Sequence, residues 1–258
     1  MREVVQAVRL WPVWLRIGVQ DIRMRYRRSF LGIGWVFVNL LVMTFSIGFV
    51  YSKLFGQHVQ EFIPFLTIGL IIWNHIVSGV LEGGNAFIVS EGYIKQIGLP
   101  NYVYIFRFFT SIAINLLVSL PCYFVIAFFY SVPISIGVLW CVPGLLLLSL
   151  NTLFMISIFA HVNARFRDIT HIAGVVLQVL FFLTPIMWPF EMLKAHRMDW
   201  IAMINPLFHL VEIVRRPLLQ SLAAAPASYC IIVVWLFGLG LVAWLVTRRL
   251  GRRIPYLL

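Results

Sequence analysis

Three lysines, Lys53, Lys95 and Lys194, follow Ser52, Ile94 and Leu193, so none stands in the Gly-Lys-Ser/Thr setting with which a phosphate loop cradles ATP. ATP binding by that route is excluded for this chain. The histidines His58, His75, His161, His171, His196 and His209 share no helical face with cysteines or carboxylates at metal-ligand spacing, except His209 with Glu212 three residues on. One such pair is too little for a metal site. Of the nine acidic residues, Glu82 is the lone intramembrane candidate, whereas glycoside chemistry would use a matched acid and base. No Gly-x-Ser-x-Gly nucleophile turn occurs, so no catalytic residue, metal or resident cofactor is expected.

The elements that carry these residues are set by composition. At 62% hydrophobic and 11% charged, with a mean hydropathy of +0.95, the chain cannot be coated in water and belongs in a bilayer. Its net charge of +11 would suit a nucleic-acid binder, but that hydropathy does not, and no nucleic-acid partner is expected. Cys122, Cys141 and Cys230 sit in apolar runs without paired spacing and read as small core residues. Six apolar runs are long enough to span, at residues 30–52, 62–81, 108–129, 135–160, 169–189 and 229–247. Their length, with scattered Gly and Pro, predicts an all-α integral membrane protein rather than a barrel of short alternating strands.

Lys and Arg in short flanks stay preferentially in the cytoplasm. Fifteen basic residues fall on the side of the termini and five on the other, which predicts cytoplasmic termini on a multi-pass membrane protein. No small-residue cleavage site follows the first apolar run, so no cleavable signal is expected. The chain divides into an arm, 1–29, and a six-span domain, 30–258.

In the arm, Val4, Val8, Trp11, Leu15 and Ile22 recur at three- and four-residue steps, while Arg2, Arg9, Arg16 and Arg23 recur every seven. That pattern predicts an amphipathic helix lying in the membrane interface, kinked or restarted at Pro12. Attraction to anionic lipid would hold it, and contact of Arg23, Arg25, Arg27 and Arg28 with substrate-lipid phosphates is the alternative. Glu82, at the end of the second run, either pairs locally or forms a polar seam against another helix.

Four segments together resemble the permease subunit of type 2 ABC exporters, in the branch that exports O-antigen, capsular and teichoic-acid-like polysaccharides. The run Asp21-Ile22-Arg23-Met24-Arg25-Tyr26-Arg27-Arg28-Ser29-Phe30-Leu31-Gly32-Ile33-Gly34-Trp35 is similar to the basic lead into that family's first span. Glu91-Gly92-Tyr93-Ile94-Lys95-Gln96-Ile97-Gly98-Leu99-Pro100 stands where the family has its coupling segment, with Gln96 and Gly98 departing from the usual basic or apolar residues. Arg165-Phe166-Arg167-Asp168 matches the loop between spans four and five. Thr184-Pro185-Ile186-Met187-Trp188-Pro189, and Asn205-Pro206-Leu207-Phe208-His209 through Glu212 to Arg215, resemble its last pair of motifs.

The resemblance implies that Glu91, Gly92, Tyr93, Ile94, Lys95, Gln96 and Ile97 couple to a separate ATPase, which would hold ATP and Mg. The segment itself, stopped by Gly98 and Pro100, suits either a short docking helix or an interfacial turn. Arg165, Phe166, Arg167 and Asp168 would gate the cytoplasmic side, although positive-inside anchoring and an Asp168 N-cap would also explain them. Pro185, Trp188, Pro189, Asn205, Pro206, Glu212 and Arg215 would form an extracytoplasmic gate of two re-entrant helices between spans five and six. A surface-lying amphipathic helix is the rival there.

Of 40 aromatic residues, Phe45, Phe49, Phe181 and Phe182 are candidates for a pore lining along which a sugar polymer could slide. Six helices enclose such a channel poorly, which predicts a homodimer, working with two ATPase subunits on a lipid-linked polysaccharide amid membrane lipids. An exporter of small drugs or lipids, a secondary transporter and a membrane transferase are the alternatives. No internal repeat supports the second of these.

Overall fold

A computed structural model describes residues 2–54 and 56–258, with the backbone alone at Arg2. The Arg2 side chain of the seven-residue repeat thus lies outside the described residues. The chain folds as α1 (Arg2–Arg9), α2 (Trp11–Tyr26), α3 (Trp35–Leu54), α4 (Val59–Gly84), α5 (Ala86–Val89), α6 (Glu91–Ile97) and α7 (Asn101–Phe129). Then come α8 (Cys141–Arg165), α9 (Ile169–Leu183), α10 (Phe190–Ala195), α11 (Trp200–Ile204), α12 (Pro206–Gln220), α13 (Pro226–Leu250) and α14 (Ile254–Leu257), with no strand among the described residues. The all-α expectation holds.

Among the described residues five helical stretches are long and apolar enough to cross a membrane: Gly32–Leu54, Val59–Gly84, Asn101–Phe129, Ile136–Arg165 and Pro226–Leu257. They correspond to five of the six expected runs, with ends shifted by up to seven residues for the third and ten for the last. The remaining run, 169–189, is helical only over the 15 residues of α9. At about 1.5 Å per residue that is about 22 Å, short of a hydrocarbon core of about 30 Å. The helix stops because a residue before proline avoids helical geometry; Thr184 is extended at φ −97 and ψ 132 before Pro185.

The core is built around α4, the most buried of the long helices, which packs on α3, α7, α8, α9 and α12. Gly79 and Gly83 are one turn apart on its face against Thr152 and Ile156 of α8, and a Cβ at either position would press into those side chains. Absent side chains let the two helix backbones approach, which is how spans associate where no water drives them together. α3 and α13 are the least buried, and their outward residues, such as Val42, Phe49, Val234 and Phe237, are exposed apolar surface.

Two poles follow. One gathers α2, the end of α4, α5, α6, the start of α7, the end of α8 and α14, joined by Asn101 Nδ2 to the Gly251 carbonyl at 2.8 Å and Asn163 Nδ2 to the Gly84 carbonyl at 3.2 Å. It carries most of the arginines. The other gathers the α7–α8 link and α12, joined by Tyr123 Oη donating to the Leu218 carbonyl at 2.7 Å and Ser221 Oγ to the Pro133 carbonyl at 3.1 Å.

Candidate functional site

The arm is docked on the bundle. Proline lacks the N–H that a helix interior needs, so α1 ends at Arg9 and α2 begins anew at Trp11 with Pro12 in its first turn, one of the two expected behaviours. The apolar stripe of the arm is divided between protein and surface. Gly18 and Ile22 are buried and the Trp14 ring packs tilted on Phe106 at 5.3 Å, whereas Trp11 and Leu15, and Val8 of α1, are exposed. A Cβ on Gly18 would lie 2.7 Å from the Arg107 carbonyl oxygen, so only glycine lets α2 lie this close to α7. Ser111 Oγ donates to the Gly18 carbonyl at 3.0 Å across the same contact.

Next to Gly18, Arg107 of α7 makes a two-pronged pair with Asp21, Nε to Oδ2 at 2.6 Å and Nη2 to Oδ1 at 2.8 Å. Its third nitrogen, Nη1, donates to Ser90 Oγ at 3.2 Å, and the guanidinium lies 5.4 Å from the Tyr93 ring. Arg107 thereby ties the arm, the α5–α6 corner and a long helix to one point. A turn along α2, Arg25 donates to Glu82 at 2.8 Å. Burial alone would lower the Arg25 pKa, but the charge and hydrogen bond of Glu82 raise it, so the guanidinium stays protonated. Glu82 therefore serves a seam between helices, the second of the two roles weighed for it. Arg25 is correspondingly committed to protein, while Arg23, Arg27 and Arg28 are exposed, the last two beside an open cleft of about 530 Å³.

The segment 91–97 is a helix, α6, closed by Gly98 in the left-handed region at φ 63 before Pro100. Ile94 is its buried anchor, while Tyr93 and Ile97 are 46% and 57% exposed. That leaves an apolar outer face beside charge, which is what a docking helix presents. Lys95 donates to Glu91 at 2.6 Å. This hydrogen bond, then the Lys95 charge, then Arg167 across the gap, hold the Glu91 carboxyl below its ordinary range. Arg165, Phe166, Arg167 and Asp168 are all exposed beside it. One expectation fails there: Asp168 occupies the N-cap position of α9, but with φ −76 and ψ −13 it is already helical and its side chain makes no capping bond.

At the other pole the fourth motif closes on itself. Asn205 caps α12 by accepting from the Leu207 N–H at 2.9 Å and donates to Thr184 Oγ1 at 2.8 Å, with Pro206 filling the first helical position. Arg215, 2% exposed, donates to the Pro185 carbonyl at 2.6 Å and to Glu212 at 2.9 Å, and its guanidinium lies 4.1 Å over the Phe65 ring. Trp188 Nε1 donates to the Phe182 carbonyl at 3.3 Å, and Pro189 begins α10. The spaced pair His209 and Glu212 does not act together: His209 meets Ser228 and the Met203 carbonyl. Phe65 and Phe190, which no motif singled out, line a cavity of about 660 Å³ here with Phe208, Glu212 and Arg215 of the fourth motif.

The four candidate pore aromatics are not assembled within one chain. Phe45, Phe49 and Phe182 are exposed on α3 and α9, while Phe181 packs on Trp73 of α4 at 5.4 Å. Among the described residues no three His, Cys, Asp or Glu side chains converge as metal ligands would.

Residues 14–219 match the protein family described as ABC-2 type transporter. The chain is 25% identical over 203 residues, 78% of each sequence, to the O-antigen export system permease protein RfbA of Klebsiella pneumoniae. It is 27% identical over 194 residues, 74% of each, to the protein of the same name from Myxococcus xanthus.

Proposed function

The chain belongs to the ABC-2 type transporter family, and from that premise we propose that it is the transmembrane subunit of an ATP-driven exporter that moves a lipid-linked, O-antigen-like polysaccharide out of the cytoplasm. The subunit is a permease, not an enzyme, and ATP with its Mg belongs to a partner chain. The observation that carries this reading is the exposed apolar face of α6, set beside the basic loop 165–168 on a chain without a phosphate loop. An ATPase that closes on ATP pushes α6, and Ile94, Tyr93 and Arg107 pass the motion to α5, α7 and the arm.

The basic pole is cytoplasmic by the positive-inside rule, in a bacterial inner membrane. α9 with the turn after it makes the sixth crossing, and α10 to α12 form the extracytoplasmic gate, with Arg215 latching α12 to the turn at Pro185. Irregular backbone at that depth is tolerable because Thr184, Ile186 and Met187 are buried in protein. The exposed Trp11 and Leu15 rest in the interface with lipid, and Arg23, Arg27 and Arg28 meet phosphates. Two copies face each other across the path with Phe45, Phe49 and Phe182 toward it, and two ATPase subunits complete the assembly.

The test is purification with the cognate ATPase and assay of ATP-driven glycan delivery in vesicles. Tyr93→Asp with Ile97→Asp is expected to abolish capture of the ATPase and delivery, while leaving permease stability within about 0.5 kcal/mol, as for surface changes. Delivery by the permease without any ATPase, or an unaffected double variant, would overturn the reading.

A further inference from the structure

A cleft of about 540 Å³ lies between α3, α4 and α7, away from the coupling face and from the Arg215 latch. Its polar lining is Asn39, Asn74, His75, Ser78, Asn115 and Ser119, and no Arg, Lys, Asp or Glu joins it. Asn74 and Ser78 are four residues apart on α4, and Asn115 and Ser119 four apart on α7, so each helix offers a one-turn ladder to the same space.

Ser119 donates to the Asn115 carbonyl at 2.7 Å, but the amides and the imidazole are left open. Asn39 and Asn74 are exposed in the single chain, and neither side chain has a hydrogen bond in the structure. His75 is 4% exposed and looks toward the Ile112 backbone, at a geometry that satisfies neither ring nitrogen. The Asn115 Oδ1 is also buried without a partner. Amides and an imidazole left open along membrane-sized helices are costly unless they face water or a ligand.

The kind of ligand follows from the donor set. An amide offers an acceptor and two donors, and a neutral imidazole one of each, which matches hydroxyls that both donate and accept. A phosphate or carboxylate would want a fixed cation, and none lines this cleft; Arg25 and Arg107, which line a separate one, are committed to Glu82 and Asp21. Val42 and Met43, both exposed, form an apolar rim that an attached lipid chain can follow.

We propose that this cleft binds a neutral, hydroxyl-rich sugar unit in the half of the membrane next to the basic pole, through Asn39, Asn74, His75 and Asn115. It rests on the export reading and adds which part of the cargo is gripped, and where. Such a grip favours uncharged sugars over acidic ones, because an anion would enter unpaired.

The experiment uses the permease–ATPase complex in nanodiscs with Asn74→Cys on a Cys230→Ser background, since Cys122 and Cys141 are buried. A charged methanethiosulfonate should label the new thiol, and hexyl maltoside at roughly ten times its dissociation constant should slow labelling about tenfold by mass action. Maltose without a tail separates free from lipid-linked sugar; protection by either supports the sugar site. Dihexanoyl phosphatidylcholine, with a phosphate head on short tails, should give no protection. Ser78→Cys repeats the measurement from the next turn. Absent labelling, absent protection by both sugars, or equal protection by the phosphatidylcholine overturns the assignment. ATP-driven export by the Cys230→Ser parent is read in parallel: if it runs while the cleft is unprotected, only the cleft assignment falls, and if it does not run, the transport reading falls first.

Discussion

Arg107 on α7 and Arg215 on α12 are buried at opposite poles, and each closes one ion pair, yet they hold different things together. Asp21 is 86 residues from Arg107, so that pair joins an otherwise separate arm to the bundle. Glu212 is three residues from Arg215 on the same helix, so that pair neutralises charge and spans nothing. The long-range link at the second pole is the hydrogen bond from Arg215 to the Pro185 carbonyl, an acceptor that no substitution of a side chain can remove. A carboxylate partner makes a joint that a single mutation on either side can release. A backbone partner makes a latch whose control lies in the arginine alone.

Removing each arginine breaks this symmetry in the order of burial. Arg215→Met strands Glu212 and leaves the Pro185 carbonyl unpaired, and an unpaired group in a buried ion pair costs about 3–5 kcal/mol. The loss is expected in the thermal unfolding of the whole bundle. Arg107→Leu should cost about 1.5–3 kcal/mol, the range for hydrogen bonds to charged groups. It should appear as faster hydrogen exchange over residues 2–26, with the long helices unchanged. Gly18→Val should release the same arm by sterics instead of charge; if either variant unfolds the bundle together with the arm, the arm is not a separable element.

The smaller effects sharpen the first pole. Arg25→Ala removes an exposed pair, with side chains 43% and 37% exposed, and should cost about 0.2–1 kcal/mol in a double-variant cycle with Glu82→Ala. A larger coupling would make that seam a second anchor of the arm. Last is the Glu91–Lys95 pair. Its carboxyl is held below the ordinary range, so its contribution to α6 is present above the unfolded-state pKa and is lost as pH falls through the lower folded value. Glu91→Gln should abolish that acid dependence of α6, read by nuclear magnetic resonance shifts of residues 91–97.

Much of this was legible in the residues. Hydropathy gave five of the long helices, with ends within ten residues, because about 20 apolar residues have one stable conformation in hydrocarbon. Gly98 and Pro100 marked the end of α6, and Pro12 the restart of the arm, since both residues act through local backbone geometry. The contact edge of the arm was only partly legible. Its apolar repeat marked one stripe, but Gly18, which counts for nothing in hydropathy, decided which part of that stripe meets α7 and left Trp11 and Leu15 exposed. Phe65 beneath Arg215 was missed for the same reason, being 150 residues away in sequence and one of 22 phenylalanines.

The sequence by itself determined that this chain is helical, membrane-bound, strongly asymmetric in basic charge and without an ATP-binding loop of its own. Those properties follow from composition, spacing and local conformation, each of which acts within a few turns. Only the tertiary structure decided that Glu82 answers Arg25, that Arg107 gathers three elements, that α9 stops at 15 residues, and that Asn39, Asn74, His75 and Asn115 open onto one space. Pairings between helices depend on which faces approach closely enough to touch, and that distance is set by glycines and packing across the whole bundle.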